Sequence, residues 1–285
     1  MKKRTSAQTI GLLVLMALVL LFVYAPIAWL VLSSISTRTE LLNVPPSFIP
    51  THPTLKNYLD ILLPGRTTSD VAATFKITLR NSFLVASVTT FACLLIGSLG
   101  AYALARLRLP FKNKLLMSIL SVRMIPEISL VIPLYIVAAK LVLLNKPAVL
   151  IITYLSFALP FAIWMISTFF ESVPMELEDA ARIDGCSRLR TLFSVVLPVA
   201  TPGMISTGLF IFLLAWDEFF FALIFTSTTA AKTAPVAIAE FTGRYAVDIT
   251  AMMAAGVLAA LPPVLLALIF QRYIVSGLSA GAVKG

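Results

Sequence analysis

Long apolar runs alternate with short polar ones along this chain, and most of the apolar runs are far longer than strands. Six of them reach the roughly 20 residues that a helix needs to cross a bilayer. They run from about Gly11 to Leu32, Asn81 to Leu104, Leu115 to Ala139, Ala148 to Phe170, Gly203 to Thr226 and Ala251 to Phe270. The pattern predicts an all-α, polytopic membrane protein with six transmembrane helices. Residues 1–10 form an N-terminus, 11–270 the transmembrane region, and 271–285 a C-terminal tail. An outer loop spans 36–80 and a polar loop spans 171–202. The first run follows Met1-Lys2-Lys3-Arg4. It is longer than a usual signal-peptide core and lacks a clean small-residue cleavage site, so it reads as a retained span.

The pattern breaks most sharply between Pro174 and Pro198, PMELEDAARIDGCSRLRTLFSVVLP, a polar island between apolar runs. Pro174 suits a first helical position, and Glu176 and Glu178 in the opening turn favour the positive end of the helix dipole. Leu177, Ala180 and Ala181 fall on one predicted face. Gly185 can take the left-handed conformation that ends a helix. Ser187 can cap a second helix, in which Leu189, Leu192, Phe193, Val196 and Leu197 repeat at helical spacing, and Pro198 closes the segment. Helix, glycine elbow and helix make a handle that another protein could push; the competing reading is an amphipathic loop lying on the membrane surface.

Composition strengthens the membrane reading. The 285 residues are 59% hydrophobic and 12% charged, with mean hydropathy +0.98, so a soluble domain of this makeup would need a surface of apolar residues. The net charge of +9 is scattered among the spans and points to loop flanks rather than to nucleic acid. Lys2, Lys3, Arg4, Arg106, Arg108, Lys112, Lys114, Arg182, Arg188, Arg190, Arg272 and Lys284 fall on one side of the membrane. The short loops of the other side offer only Lys140, Lys146, Lys232 and Arg244. Both termini and the polar island are therefore expected in the cytoplasm. In the outer loop, Pro45, Pro46 and Pro50 to Pro53 keep the chain extended. Leu55, Tyr58, Leu59, Ile61 and Leu62 form a patch that packs on its own helices or meets a partner or the membrane surface.

Catalysis finds little to work with. There is no phosphate-cradling G-x-x-x-x-G-K-[ST] run. His52 is the single histidine, and the two cysteines, Cys93 and Cys186, lie far apart, so neither a catalytic residue nor a metal site is expected. The intramembrane charges are a different matter, since each is costly in hydrocarbon. Arg123 and Glu127 fall in the third run and Asp217 and Glu218 in the fifth. On straight helices, Glu127 lies roughly 18 Å and Asp217 roughly 21 Å from the cytoplasmic ends of their spans. The depths let Arg123 reach an acid on span five. The four residues then either line a polar pathway or form an internal ion pair that sets helix register.

The island also carries a resemblance. Asp179-Ala180-Ala181, three residues, Gly185, nine residues and Val195-x-Leu197-Pro198 resembles the EAA loop of membrane permease subunits of ABC importers, with Asp179 where the motif's glutamate usually stands. Other runs are similar to the carbohydrate branch of these permeases, for sugars, polyols and glycerol phosphate. They are Arg123-Met124-Ile125-Pro126, Ile132-Pro133-Leu134-Tyr135, Trp216-Asp217-Glu218-Phe219, Lys232-Thr233-Ala234-Pro235-Val236 and Val275-Ser276-Gly277-Leu278. Asp217 replaces a common asparagine.

The resemblance implies the type I permease fold in a bacterial or archaeal inner membrane. It implies ATPase coupling through Glu178, Asp179, Ala180, Ala181, Asp184, Gly185, Leu197 and Pro198. It further implies a second, unlike permease subunit, two ATP-binding subunits and an external solute-binding protein. ATP and Mg²⁺ would sit on the partners, with no cofactor on this chain, and the remaining surroundings would be membrane lipid. A self-sufficient secondary transporter or channel is the rival reading of the buried charges.

Overall fold

A computed structural model describes residues 6–45, 47–63, 70–242 and 248–282. Helices are the regular elements, and no strand occurs among the described residues. In chain order they are α1 (Ser6–Ser34), α2 (Arg38–Leu42), α3 (Lys56–Leu62), α4 (Asp70–Arg106), α5 (Lys112–Ser121), α6 (Glu127–Lys140) and α7 (Pro147–Glu171). Then come α8 (Met175–Ile183), α9 (Arg188–Thr191), α10 (Leu197–Val199), α11 (Thr201–Trp216), α12 (Phe220–Phe225), α13 (Ala234–Glu240) and α14 (Ile249–Ala282). Lys2, Lys3, Arg4, Arg244 and Lys284, used above for orientation, lie outside the described residues, as do the side chains of Val275 to Leu278.

Among the described residues, four helices are long and apolar enough to cross a membrane: Gln8–Ser34, Val71–Arg106, Pro147–Glu171 and Ile249–Tyr273. Two bent pairs bring the number to six if each is one span: Lys112–Met124 with Glu127–Lys140, at 86°, and Arg188–Val199 with Thr201–Trp216, at 83°. The straight third and fifth spans expected from hydropathy are corrected, the third by its 86° bend and the fifth by a break after Trp216, since the 83° bend at Ala200 precedes the expected run. The third breaks at Ile125-Pro126, because proline drives the preceding residue out of the helical region, and Ile125 has ψ 123°. In the fifth, α11 stops at Trp216 with Asp217 as its C-cap, and helix resumes only at Phe220. Hydropathy sums apolarity along a window and carries no information about such bends.

The chain divides into two compact units, Met1–Lys76 with Ala237–Leu261, and Ile77–Val236 with Pro262–Gly285. In the first, α1 keeps its apolar surface outward. Beyond its end, Glu40 organises the outer loop. Thr37 and Glu40 form a capping box around α2, with the Thr37 N–H 3.0 Å from Glu40 Oε2. The other carboxylate oxygen accepts from the Thr51 hydroxyl, the Thr51 N–H at 2.9 Å and the His52 N–H at 3.0 Å. One carboxylate thus ties α2 to the Thr51-His52 turn across a proline-rich stretch. The α3 patch splits: Ile61 is buried, Tyr58 meets Ser34 Oγ at 2.6 Å and Asn57 Nδ2 donates to Ser34 O at 2.8 Å. Leu55, Leu59 and Leu62 stay exposed.

In the second unit α7 is the central helix, with buried residues along its whole length from Val149 to Phe170. Toward its N-terminal end it packs Val149, Leu150 and Tyr154 with Phe212, Trp216, Phe221 and Phe225. Toward its C-terminal end Ala162, Ile166, Phe169 and Phe170 pack with Cys93, Leu192 and Val196. Small residues permit the approach: a methyl group at Gly97 would lie 3.2 Å from Ala162 Cβ, and one at Gly203 only 2.1 Å from the Phe169 ring. The run after α12 is pinned by amides. Asn81 Nδ2 donates to Thr229 O at 3.0 Å and Lys232 O at 3.1 Å, Ala234 N–H donates to Ser82 Oγ at 2.8 Å, and Ser227 N–H to Asn145 Oδ1 at 2.6 Å. The Lys232–Val236 run is thus held by main-chain contacts.

Glu40 generates a pH prediction. Its hydrogen bonds, the Thr51 hydroxyl first and then the Thr37 N–H, hold its carboxyl down from the ordinary 4.5 to about 2. A depressed value stabilises the loop fully above the unfolded value and loses that stabilisation as pH falls toward the folded one. Amide exchange at Thr51 and His52 should therefore accelerate between about pH 4.5 and pH 2 relative to intrinsic rates. Glu40→Gln should show accelerated exchange already at pH 7, with that pH dependence gone.

Candidate functional site

The polar island is built as two helices around an elbow. Pro174, with ψ 135°, is the N-cap of α8 rather than its first residue. The helix ends in a Schellman arrangement: Gly185 has φ 84°, its N–H donates to Arg182 O at 3.1 Å, and the Cys186 N–H donates to Ala181 O at 2.9 Å. A Cβ at Gly185 would meet nothing within 4 Å, so the glycine serves backbone conformation and not packing. Ser187 then caps the next segment, its Oγ accepting from the Arg190 N–H at 3.4 Å. The predicted second helix departs from a plain α-helix. After α9 it widens into a π turn over Leu192–Val196 before α10. Pro198 therefore sits inside helix, which ends one residue later, and the π turn absorbs a residue that cannot donate to the preceding turn.

Burial sorts the coupling candidates into two groups. Asp179, Ala180, Asp184, Gly185 and Pro198 are exposed, Leu197 is half-buried, and Glu178 and Ala181 are buried. The predicted face of Leu177, Ala180 and Ala181 is thus split. So is the second stripe: Leu192 and Val196 face the core while Leu189 and Phe193 face outward. Glu178 turns inward to an ion pair with Arg106 at the end of α4. The Tyr102 hydroxyl donates to Glu178 Oε2 at 2.9 Å, and Arg106 Nη2 donates to Val173 O at 2.6 Å. Sequence reasoning missed Tyr102 and used Arg106 only as an orientation signal. Their pairing depends on α4 and α8 meeting, which no local pattern records.

The intramembrane charges gather around one cavity of about 240 Å³, lined by Arg123, Ile125, Glu127, Phe157, Leu214, Asp217 and Glu218. Both charged pairs sit at helix breaks, Arg123 and Glu127 between α5 and α6, Asp217 and Glu218 between α11 and α12. Free backbone groups at a break already require polar surroundings inside a membrane. The straight-helix depth therefore fails for Glu127, which lies beyond the break at Pro126, whereas Asp217 still ends the continuous α11. Arg123 makes no ion pair with an acid among the described residues; its guanidinium lies over the Phe161 ring, 5.5 Å from the centroid. Glu218 is engaged instead by backbone: it accepts from the Phe221 N–H at 2.8 Å and the Ala222 N–H at 3.2 Å, so it caps α12. The Tyr154 hydroxyl of α7 donates to it as well. A mid-span tyrosine whose hydroxyl needs a partner was the sequence signal for this contact.

These contacts separate Glu218 from Asp217. Glu218→Ala strands two N–H groups and a buried hydroxyl, and should lower the stability of the detergent-solubilised protein by about 1–3 kcal/mol, read from its unfolding midpoint. Asp217→Asn, at an exposed position, should leave that midpoint within about 0.5 kcal/mol. Arg123→Leu should gain no stability from a second Glu218→Gln change, since no direct pair links them.

Residues 93–280 match the family described as binding-protein-dependent transport system inner membrane component. Over 260 residues the chain is 40% identical to the sulfoquinovosyl glycerol transport system permease protein SmoH of Agrobacterium fabrum, covering 91% of this chain and 88% of that protein. Over 275 residues it is 39% identical to the trehalose/maltose transport system permease protein MalG of Thermococcus litoralis, covering 95% of this chain and 94% of the other. Its fold is similar to a chain of a bacterial ABC transporter involved in the import of the acidic polysaccharide alginate. There the TM-score is 0.80 at 21% identity, covering 96% of this chain and 99% of that one.

Proposed function

The chain belongs to the family of binding-protein-dependent transport system inner membrane components, and on that premise we propose that it forms half of the translocation pathway of an ATP-driven importer. It has the all-α type I permease fold and is a multi-pass membrane permease, not an enzyme. The proposed solute is a sugar, sugar alcohol or related compound, a reading supported by relatives whose names specify trehalose/maltose and sulfoquinovosyl glycerol. A second, unlike permease completes the pathway, two ATP-binding subunits hold ATP and Mg²⁺, and an external solute-binding protein delivers the solute. A self-sufficient transporter is not favoured, because the matched family is a component of binding-protein-dependent systems.

The observation that carries the coupling reading is the handle itself. A nine-residue helix leads to a glycine elbow at φ 84°. Around that elbow it presents exposed Asp179, Ala180, Ile183, Asp184 and Leu189. Short, acidic at its start and exposing both charged and apolar residues, it suits a groove on an ATPase subunit at the cytoplasmic face. As ATP closes the ATPase pair, the handle moves with it and the spans pass from inward-facing to outward-facing. The cavity of Arg123, Glu127, Asp217 and Glu218 is then part of the polar lining that the solute meets.

Gly185→Val places a β-branched residue at positive φ, a strain of at least roughly 1 kcal/mol. Nothing surrounds a side chain there, so the strain falls on the elbow alone. The variant should insert and pair with its partner permease, yet lose the stimulation of ATP hydrolysis by loaded binding protein in reconstituted complex. Ala180→Trp, on the exposed face, should do the same by blocking close approach. Normal stimulation in both would remove the handle from the coupling path.

Orientation is tested separately. With Cys93 and Cys186 replaced by serine, Ser187→Cys should react only with reagents that reach the cytoplasm. Lys56→Cys, on α3 of the outer loop, should react with impermeant reagents from outside. The reverse pattern would invert the topology and exclude coupling through this loop.

A further inference from the structure

We propose that Glu178, Arg106 and Tyr102 form an internal latch that carries motion between the handle and α4, with Glu178 a positioning residue for transport rather than a contact for the ATPase. The proposal rests on the coupling reading above and divides its residues by task. Glu178 and Asp179 are sequence neighbours with opposite surroundings: the side chain of Asp179 is 62% exposed and that of Glu178 only 5%. The Arg106 side chain facing Glu178 is 7% exposed. A docked ATPase could reach Asp179 without any rearrangement, whereas reaching Glu178 would require prising α8 off the body of the protein.

The latch gathers three elements at one point. Arg106 in the last turn of α4 pairs through Nε with Glu178 of α8. Through Nη2 it also holds the Val173 carbonyl, at 2.6 Å, in the link between α7 and α8. Tyr102, one turn earlier, donates to the second carboxylate oxygen of Glu178 at 2.9 Å. Its ring meets Phe170 of α7 edge-on at 6.4 Å. Among the described residues this is the only ion pair joining α8 to another helix, since Asp179–Arg182 lies within α8 and Lys112–Glu171 joins α5 to α7.

Two physical points favour transmission over mere adhesion. A buried ion pair contributes little net stability beside an apolar pair of the same size, but it is costly to separate because each charge is left unpaired. It therefore resists slippage more than it adds binding. The apolar grip on α8 is small as well, with Ala181 its only buried hydrophobic residue and Met175, Leu177 and Ile183 exposed. A short helix held by so little apolar contact would slide under load unless something directional fixed it. The Glu178 carboxylate, bound from two sides, supplies that direction, so displacement of α8 pulls on the end of α4 instead of being lost locally.

The test uses the whole complex in liposomes, comparing solute transported per ATP hydrolysed for Glu178→Gln, Arg106→Gln, Tyr102→Phe and the charge swap Arg106→Glu/Glu178→Arg. The expected result is that the ATPase subunit still co-purifies with each variant. Solute moved per ATP should fall at least fivefold in Glu178→Gln and Arg106→Gln and less in Tyr102→Phe, with the swap recovering above either of its single changes. Loss of the ATPase subunit from Glu178→Gln would make Glu178 a docking contact and overturn the proposal. So would an unchanged ratio in both single variants, or failure of every variant, Tyr102→Phe included, to assemble with the partner permease. A failure of the coupling reading itself looks different: Gly185→Val and Ala180→Trp would then keep both transport and stimulated hydrolysis.

Discussion

Close approach along α7 is the constraint on which the second unit depends. In hydrocarbon no hydrophobic force drives helix against helix, so spans adhere where small residues let backbones come near. Gly97 and Gly100 of α4 face Ala162 and Ile163, and Gly203 at the start of α11 lies so close to Phe169 that even a methyl group would overlap the ring. With α4 and α11 seated in this way, both functional regions inherit their geometry from the same helix. Near one end Tyr154 reaches Glu218 at the rim of the cavity. At the other, Phe170 and Val173 back the side chains that hold α8.

The charged residues of the spans make sense together with the helix breaks. A carboxylate inside an unbroken transmembrane helix would have only hydrocarbon and satisfied peptide groups around it, a costly setting. Here the breaks at Pro126 and Asp217 open backbone groups and polar side chains toward one space. Glu218 meets part of that need by capping α12, and Arg123 rests on an aromatic face. Asp217 and Glu127, both exposed, are the carboxylates of this space without such a role.

The handle shows how one short stretch serves two surfaces. Its outward side carries both charge and apolar area, while Glu178, Ala181, Leu192 and Val196 are buried against its own protein. The glycine at φ 84° separates the two helices sharply enough that each can keep its own inward and outward sides.

Much of this was legible in the amino-acid order. Six apolar stretches, the acidic first turn after Pro174, the Gly185 elbow and the Ser187 cap all follow from local rules, because hydropathy, capping and left-handed turns depend on neighbours a few residues away. The Thr37–Glu40 capping box emerged only from the structure, and Thr51 and His52, which complete that site, lie beyond any local window. What only the tertiary structure decided is which side of each helix is covered. Periodicity merged Leu189 and Phe193 with Leu192 and Val196, and placed Ala180 beside Ala181, because a stripe wider than one face looks the same whichever part is buried. It placed Arg123 within reach of the acids of the fifth span by assuming straight helices, and the 86° bend of the third span changed that geometry. Glu178 could not be told from Asp179 in the sequence. Two carboxylates one residue apart point about 100° apart on a helix, and only the arrival of Arg106 and Tyr102 from α4 determines which of them is buried.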